Sequence, residues 1–151
     1  MKQIRVPNAE LFPEISRLLS EGRQVTMLAR GNSMLPFIRD GIDKVLLTPA
    51  EDGINVGDIL LCEVSPGRFV LHRLTGLDGD TLILMGDGNI RGTERCSVSH
   101  VIARAAAIIR PDGSTADCRS RAEMRKALIW HRLLPVRRIL LAVWRRTHRL
   151  H

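Results

Sequence analysis

Val56-Gly57-Asp58-Ile59-Leu60-Leu61-Cys62-Glu63-Val64-Ser65-Pro66-Gly67-Arg68-Phe69-Val70-Leu71-His72-Arg73-Leu74-Thr75-Gly76-Leu77-Asp78-Gly79-Asp80-Thr81-Leu82-Ile83-Leu84-Met85 is the stretch that decides the fold. It holds three apolar runs too short for helices, each bounded by residues that favour turns. Gly57-Asp58 opens a strand over 59–64, and Ser65-Pro66-Gly67 reads as a hairpin turn that pairs this strand antiparallel with Arg68–Thr75. Gly76 to Asp80 reads as a second turn and Thr81–Met85 as a third strand. Closely spaced strands with no long helix between them predict a mainly β domain.

Upstream, Gln24–Arg30 predicts a strand leading into Gly31-Asn32-Ser33-Met34-Leu35-Pro36, and Asp43–Leu47 predicts another, followed by Thr48-Pro49 and the acidic turn Glu51-Asp52-Gly53. Before them, Leu11, Phe12, Ile15, Leu18 and Leu19 recur at helical spacing, with Asn8 as an N-cap and Gly22 as the stop. Downstream, the apolar run Val101–Arg110 predicts the last strand, ended by Pro111-Asp112-Gly113.

A length of 151 residues suits one domain with an appendage. The chain has no Tyr and few aromatics, so it lacks the stacking platforms of single-strand nucleic-acid binders. Cys62, Cys96 and Cys118 form no Cys-x-x-Cys pair, which argues against a disulfide framework or a zinc knuckle and fits a reducing compartment. Met1–Pro7 contains no apolar stretch of the kind a secretory signal or an N-terminal anchor requires. Charge is uneven: residues 119–151 hold ten Lys and Arg against the single acid Glu123, whereas residues 1–118 hold 13 basic against 15 acidic.

Three side chains with complementary chemistry stand at strands or strand exits. Ser33 is a candidate nucleophile, His72 a candidate general base and Asp87 a candidate orienter of the imidazole. The backbone amide of Ser33, with a neighbouring donor at Asn32 or Gly31, would form an oxyanion hole, and Met34 and Leu35 would face either the substrate groove or the core. Nothing in the chain suggests a metal or cofactor site.

The ordered set Ser33-Met34-x-Pro36, Gly57-Asp58-Ile59-Leu60, His72-Arg73 and Gly86-Asp87-x-Asn89 resembles the signal peptidase superfamily, which also holds the LexA-like repressors, over about residues 23–110. The resemblance implies a coiled β-barrel and a serine endopeptidase acting on peptide or leader-sequence substrates. Because His72 stands where many relatives carry lysine, it implies the histidine type found in archaeal and endoplasmic-reticulum signal peptidases. Those relatives have a second acid after the Gly-Asp-x-Asn motif. The only candidate here is Glu94, so the third catalytic member is either Asp87 or Glu94. Self-cleavage of the LexA kind is not expected, since residues 1–30 contain no Ala-Gly or Cys-Gly bond.

The expected organisation is an N-terminal helix over 1–22, a peptidase-like β domain over 23–118 and a basic amphipathic helical tail over 119–151, kinked at Pro135. Charged residues interrupt the tail well short of the ~20 apolar residues a bilayer span needs. The tail can lie on an anionic membrane surface, or dock on a partner or on its own domain. A cytoplasmic protein, peripheral at the inner face of the membrane if the tail binds lipid, is the matching location, and nucleic acid is not expected as a partner. Against the peptidase reading stands a catalytically inactive module of the same fold that binds peptides or acts as a membrane adaptor.

Overall fold

The computed structural model describes residues 8–50, 53–89 and 92–147, with side chains from residue 12 onward. The expectations placed on Met1–Pro7, on the side chain of Leu11 and on Glu51-Asp52 lie outside these residues. The chain is mainly β: eight antiparallel strands form one open sheet, with three helices.

Helix α1 (Asn8–Ser20) buries Phe12, Ile15, Leu18 and Leu19, and Phe12 stacks on Phe69 with ring centroids 4.5 Å apart. The helix ends where Arg23 N donates to the Leu18 carbonyl and Gly22 N to that of Leu19, with Gly22 at φ 78°. That is the left-handed cap glycine adopts without strain.

The strands are β1 (Val25–Leu28), β2 (Lys44–Thr48), β3 (Ile59–Ser65), β4 (Arg68–Asp78), β5 (Thr81–Met85), β6 (Glu94–Ser97), β7 (Val101–Ile109) and β8 (Thr115–Asp117). Their order in the sheet is β1-β2-β7-β3-β4-β5-β6, with β8 added on β7. β1 and β6 end the order and do not pair with each other, so the backbone pairing is that of an open sheet, where the sequence predicted a barrel. The sheet is nevertheless curled, because β6 comes back to touch β3.

Alternation along the strands sends side chains to two separate cores. Ile59 and Leu61 of β3 join α1, β1, β2 and β7 in the larger one, while Leu60 and Cys62 join Leu74, Leu82, Leu84 and Cys96 in the smaller, inside the curl. The β3–β4 hairpin forms at the predicted turn. The second predicted turn is shorter than expected, because β4 runs through Gly76 to Asp78 and only Gly79 and Asp80 turn. Gly76 sits at a register shift within the β4–β5 pairing, which continues past it to Asp78–Thr81, so the glycine marks an irregularity inside the strand and not its end.

The tail folds as α2 (Arg121–Arg132), a 3-10 turn at Leu134–Val136 and α3 (Arg137–Thr147). Ser120 caps α2 by accepting from Glu123 N, and Pro135 sits in the 3-10 turn, so the predicted break lies there. Among the described residues, no helix is long and apolar enough to cross a membrane.

Candidate active site

The Ser33 turn follows from where its backbone donors go. Gly31 has φ 84° and donates its amide to Asp40 Oδ1 at 2.8 Å, while Gly41 N donates to Ala29 O at 2.8 Å, closing the base of the loop. Within the loop, Leu35 N donates to Asn32 O and both Phe37 N and Ile38 N to Met34 O, so the backbone coils like a single helical turn. Met34, Leu35 and Ile38 are buried, and the Leu35–Pro36 peptide is cis. Ser33 is left half-buried at the rim. The amide of Gly31 is therefore committed, whereas those of Asn32, Ser33 and Met34 donate to no acceptor among the described residues, as expected at the start of a helical turn. Of the predicted oxyanion donors, Gly31 drops out, and of the two positions open to Met34 it takes the core.

The Gly86–Asn89 loop is seated on this turn. Gly88 N donates to the Ser33 carbonyl at 2.7 Å, and Asp87 N points at Met34 Sδ at 3.5 Å. A Cβ at Gly86 would run into the Ser33 carbonyl oxygen and one at Gly88 into that of Asn32. Glycine is thus needed at both positions for close approach, since the obstructing atoms are backbone.

Asp87, 4% exposed, gives both carboxylate oxygens to Arg73: Nε to Oδ1 at 2.8 Å and Nη2 to Oδ2 at 2.6 Å. Arg73 Nη1 also donates to the Gly57 carbonyl at 2.8 Å, and the guanidinium lies 4.9 Å over the Phe37 ring. Gly57 N and Leu74 N in turn bond to Leu74 O and Asp58 O, and Asp58 is held by Arg119 at 2.9 and 2.7 Å. All four sequence motifs are interlocked through Arg73, Asp87 and Gly88.

His72 precedes Arg73 on β4 and projects to the opposite side, between Val70 and Leu74 of the smaller core. His72 is 7% exposed, and its Nδ1 is buried with no hydrogen-bond partner among the described residues. Burial pulls the imidazole below its ordinary pKa of 6.5; Glu94 and, less strongly, Asp87 push it up, and Arg68 pulls it down. The ring is therefore neutral at pH 7. Asp87 acts on it only through its field, because its oxygens belong to Arg73. The predicted role of Asp87 as hydrogen-bonded orienter is thus replaced by a structural one, clamping the Ser33-bound loop to β4.

Glu94, on β6, is the stronger anionic influence on His72. It pairs with Arg68 through both oxygens, and that hydrogen bond holds its carboxyl below the usual range. No hydrogen bond joins the Ser33 hydroxyl to the His72 ring among the described residues. In this conformation the site is not drawn together.

The tail supplies contacts that local sequence patterns do not reveal. Trp130 Nε1 donates to the Asp87 carbonyl at 2.6 Å. Arg137, 2% exposed, donates to the carbonyls of Asn89 at 3.0 Å and Trp130 at 3.1 Å, with its guanidinium 5.1 Å over the Trp130 ring. An arginine with helical spacing to apolar neighbours was the only sequence signal, and it reads as surface. Behind the turn, Asp43 is fully buried; burial alone would raise its pKa, but hydrogen bonds from Arg39, with Arg110 nearby, hold it low. Among the described residues, no group of three or more His, Cys, Asp or Glu is placed to hold a metal. No protein-family model matches the chain, and no curated protein matches it.

Proposed function

We propose that the protein is a serine endopeptidase of the signal-peptidase-like kind, with Ser33 as nucleophile and His72 as general base. The observation that carries this reading is the interlocking of the four motifs: the Ser33 carbonyl rests on Gly88, whose neighbour Asp87 is clamped by Arg73, and Arg73 adjoins a neutral imidazole. Such a network fixes the serine's backbone and leaves its hydroxyl without a hydrogen-bond partner among the described residues. It also fits the finer fold reading, a signal-peptidase-like curled β domain.

In the reaction, Ser33 Oγ attacks the peptide carbonyl carbon while its proton passes to a His72 ring nitrogen. The carbonyl oxygen becomes the oxyanion and meets the uncommitted amides of Ser33 and its neighbours. Collapse breaks the C–N bond as the imidazolium returns the proton to the leaving amine. Water, deprotonated by the same ring, then hydrolyses the ester to regenerate Ser33. Glu94 is the anion placed to favour the transient imidazolium. A closure that brings hydroxyl and ring within hydrogen-bond reach on substrate binding is part of this reading, since catalytic hydrogen bonds often tighten only in the complex.

The absence of a Ser33–His72 hydrogen bond and the unpartnered Nδ1 favour a second reading, a silent peptide-binding module on the same scaffold. Exposing a proteome-derived peptide library to wild type, Ser33→Ala and His72→Ala and sequencing the new termini separates the two. New termini made only by wild type support the peptidase. Identical termini from all three proteins, or none from any, end that reading.

A further inference from the structure

Helix α3 presents three faces, and only one of them is used by the fold. Arg137 and Leu141, one turn apart, are buried against the domain. Around the cylinder from them, Ile139, Leu140 and Val143 form an apolar stripe at helical spacing that Val136, the last residue of the preceding 3-10 turn, extends. Val136, Ile139, Leu140 and Val143 are 43, 66, 36 and 54% exposed. On the other flank, Arg138, Arg145 and Arg146 form a basic stripe that is also exposed. A side-by-side pair of exposed apolar and basic stripes on a helix that has already docked by its third face has no use in the fold itself.

We infer that this surface of α3 binds an anionic phospholipid bilayer, the apolar stripe entering the interface while the arginines engage headgroup phosphates. Charge selects the occupant. No acidic residue occurs from Met124 to the end of the sequence, so a second copy meeting this face symmetrically would set arginine against arginine. The core of a protein interface also disfavours charge, whereas an interfacial helix combines an apolar face with a cationic one. At 11 residues, α3 lies along a surface and does not span it. The inference does not depend on the peptidase reading. It adds an orientation, because the docked face of the same helix carries Arg137, which holds the Asn89 carbonyl beside the Ser33 turn. Bound lipid would thus fix the domain with a defined side toward the membrane.

The test is co-sedimentation of the full chain with vesicles of phosphatidylcholine alone, or with about a third phosphatidylglycerol. Wild type is expected on the anionic vesicles only, with binding that weakens as salt rises. Ile139→Glu with Val143→Glu, and separately Arg138→Gln with Arg145→Gln, should each weaken it at least about tenfold. The altered residues are exposed, so circular dichroism and melting should match wild type, which keeps the comparison interpretable. Failure of folded wild type to bind anionic vesicles overturns the inference, as do variants that bind equally well. A dimer dissolved by the apolar pair of changes without lipid binding, or a nucleic acid bound in preference to vesicles, assigns the surface elsewhere and also overturns it.

Discussion

The indole of Trp130 donates to the carbonyl oxygen of Asp87 at 2.6 Å, tying α2, the first helix of the basic tail, to the loop on which the Ser33 carbonyl rests. The tail is therefore part of the site's support. Trp130→Phe keeps a ring under Arg137 but removes one hydrogen bond, and should lower stability by about 1 kcal/mol. Trp130→Ala also removes the ring and should cost roughly 2–4 kcal/mol. Urea unfolding measures both, and limited trypsin digestion should show faster cleavage at the tail arginines of the Ala variant.

Gly88→Ala places a methyl against the Asn32 carbonyl, and Gly86→Ala places one against that of Ser33. Neither obstacle is a side chain that can swing away. Each change should destabilise the protein by about 1–3 kcal/mol. If the peptidase reading holds, cleavage should fall further than stability does, because the loop must lift off the nucleophile's own backbone. Equal melting temperatures for wild type and both variants would contradict the close approach.

Arg73 and Asp87 form a buried ion pair, at 6% and 4% exposure. Arg73→Met leaves the carboxylate buried without its cation, and a loss of about 3–5 kcal/mol is expected. Arg73→Met combined with Asp87→Leu should recover part of that loss, because replacing both partners removes the stranded charge. A chemical denaturation cycle over the four proteins measures the coupling directly.

The imidazole of His72 titrates below 6.5, chiefly because it is buried. If His72 is the general base, its neutral form should persist into mildly acidic solution, so the rising limb of the rate should have its midpoint below that value. Glu94→Gln removes the anion that raises the ring's pKa and should move the limb to still lower pH; Arg68→Gln removes a cation and should move it the other way through the direct field. The stability sign follows from the same depression. Below 6.5 the unfolded chain takes up the proton more readily, so the contribution of His72 to stability is full above that pH and is lost as pH falls through the folded value. Proton NMR of the ring across pH 4–8 checks the titration.

The β3–β4 hairpin, α1 and the β1 exit to Ser33 were legible because each carries local punctuation: Ser65-Pro66-Gly67, the helical spacing from Phe12 to Leu19, and Gly31. β6 and β8, at four and three residues, have no such signal and exist because β5 and β7 offer them an edge. The site was legible as a set of residue types but not as a geometry. His72 and Arg73 are adjacent in the chain, and only the register of β4 decides that the arginine, not the histidine, reaches Asp87. Trp130 and Arg137 were invisible for the same reason, since their partners lie more than forty residues away.

Cys62 and Cys96 lie together in the smaller core, where the curl of the sheet brings β6 against β3. Burial pushes both thiols above their ordinary pKa, and Cys118, in the larger core, up to about 12. Thiolate, the form that reacts, is therefore almost absent while the sheet stays rolled. Alkylation at these sulfurs becomes a clock for the unrolling of the sheet, one that nature has already installed and that needs no engineered label.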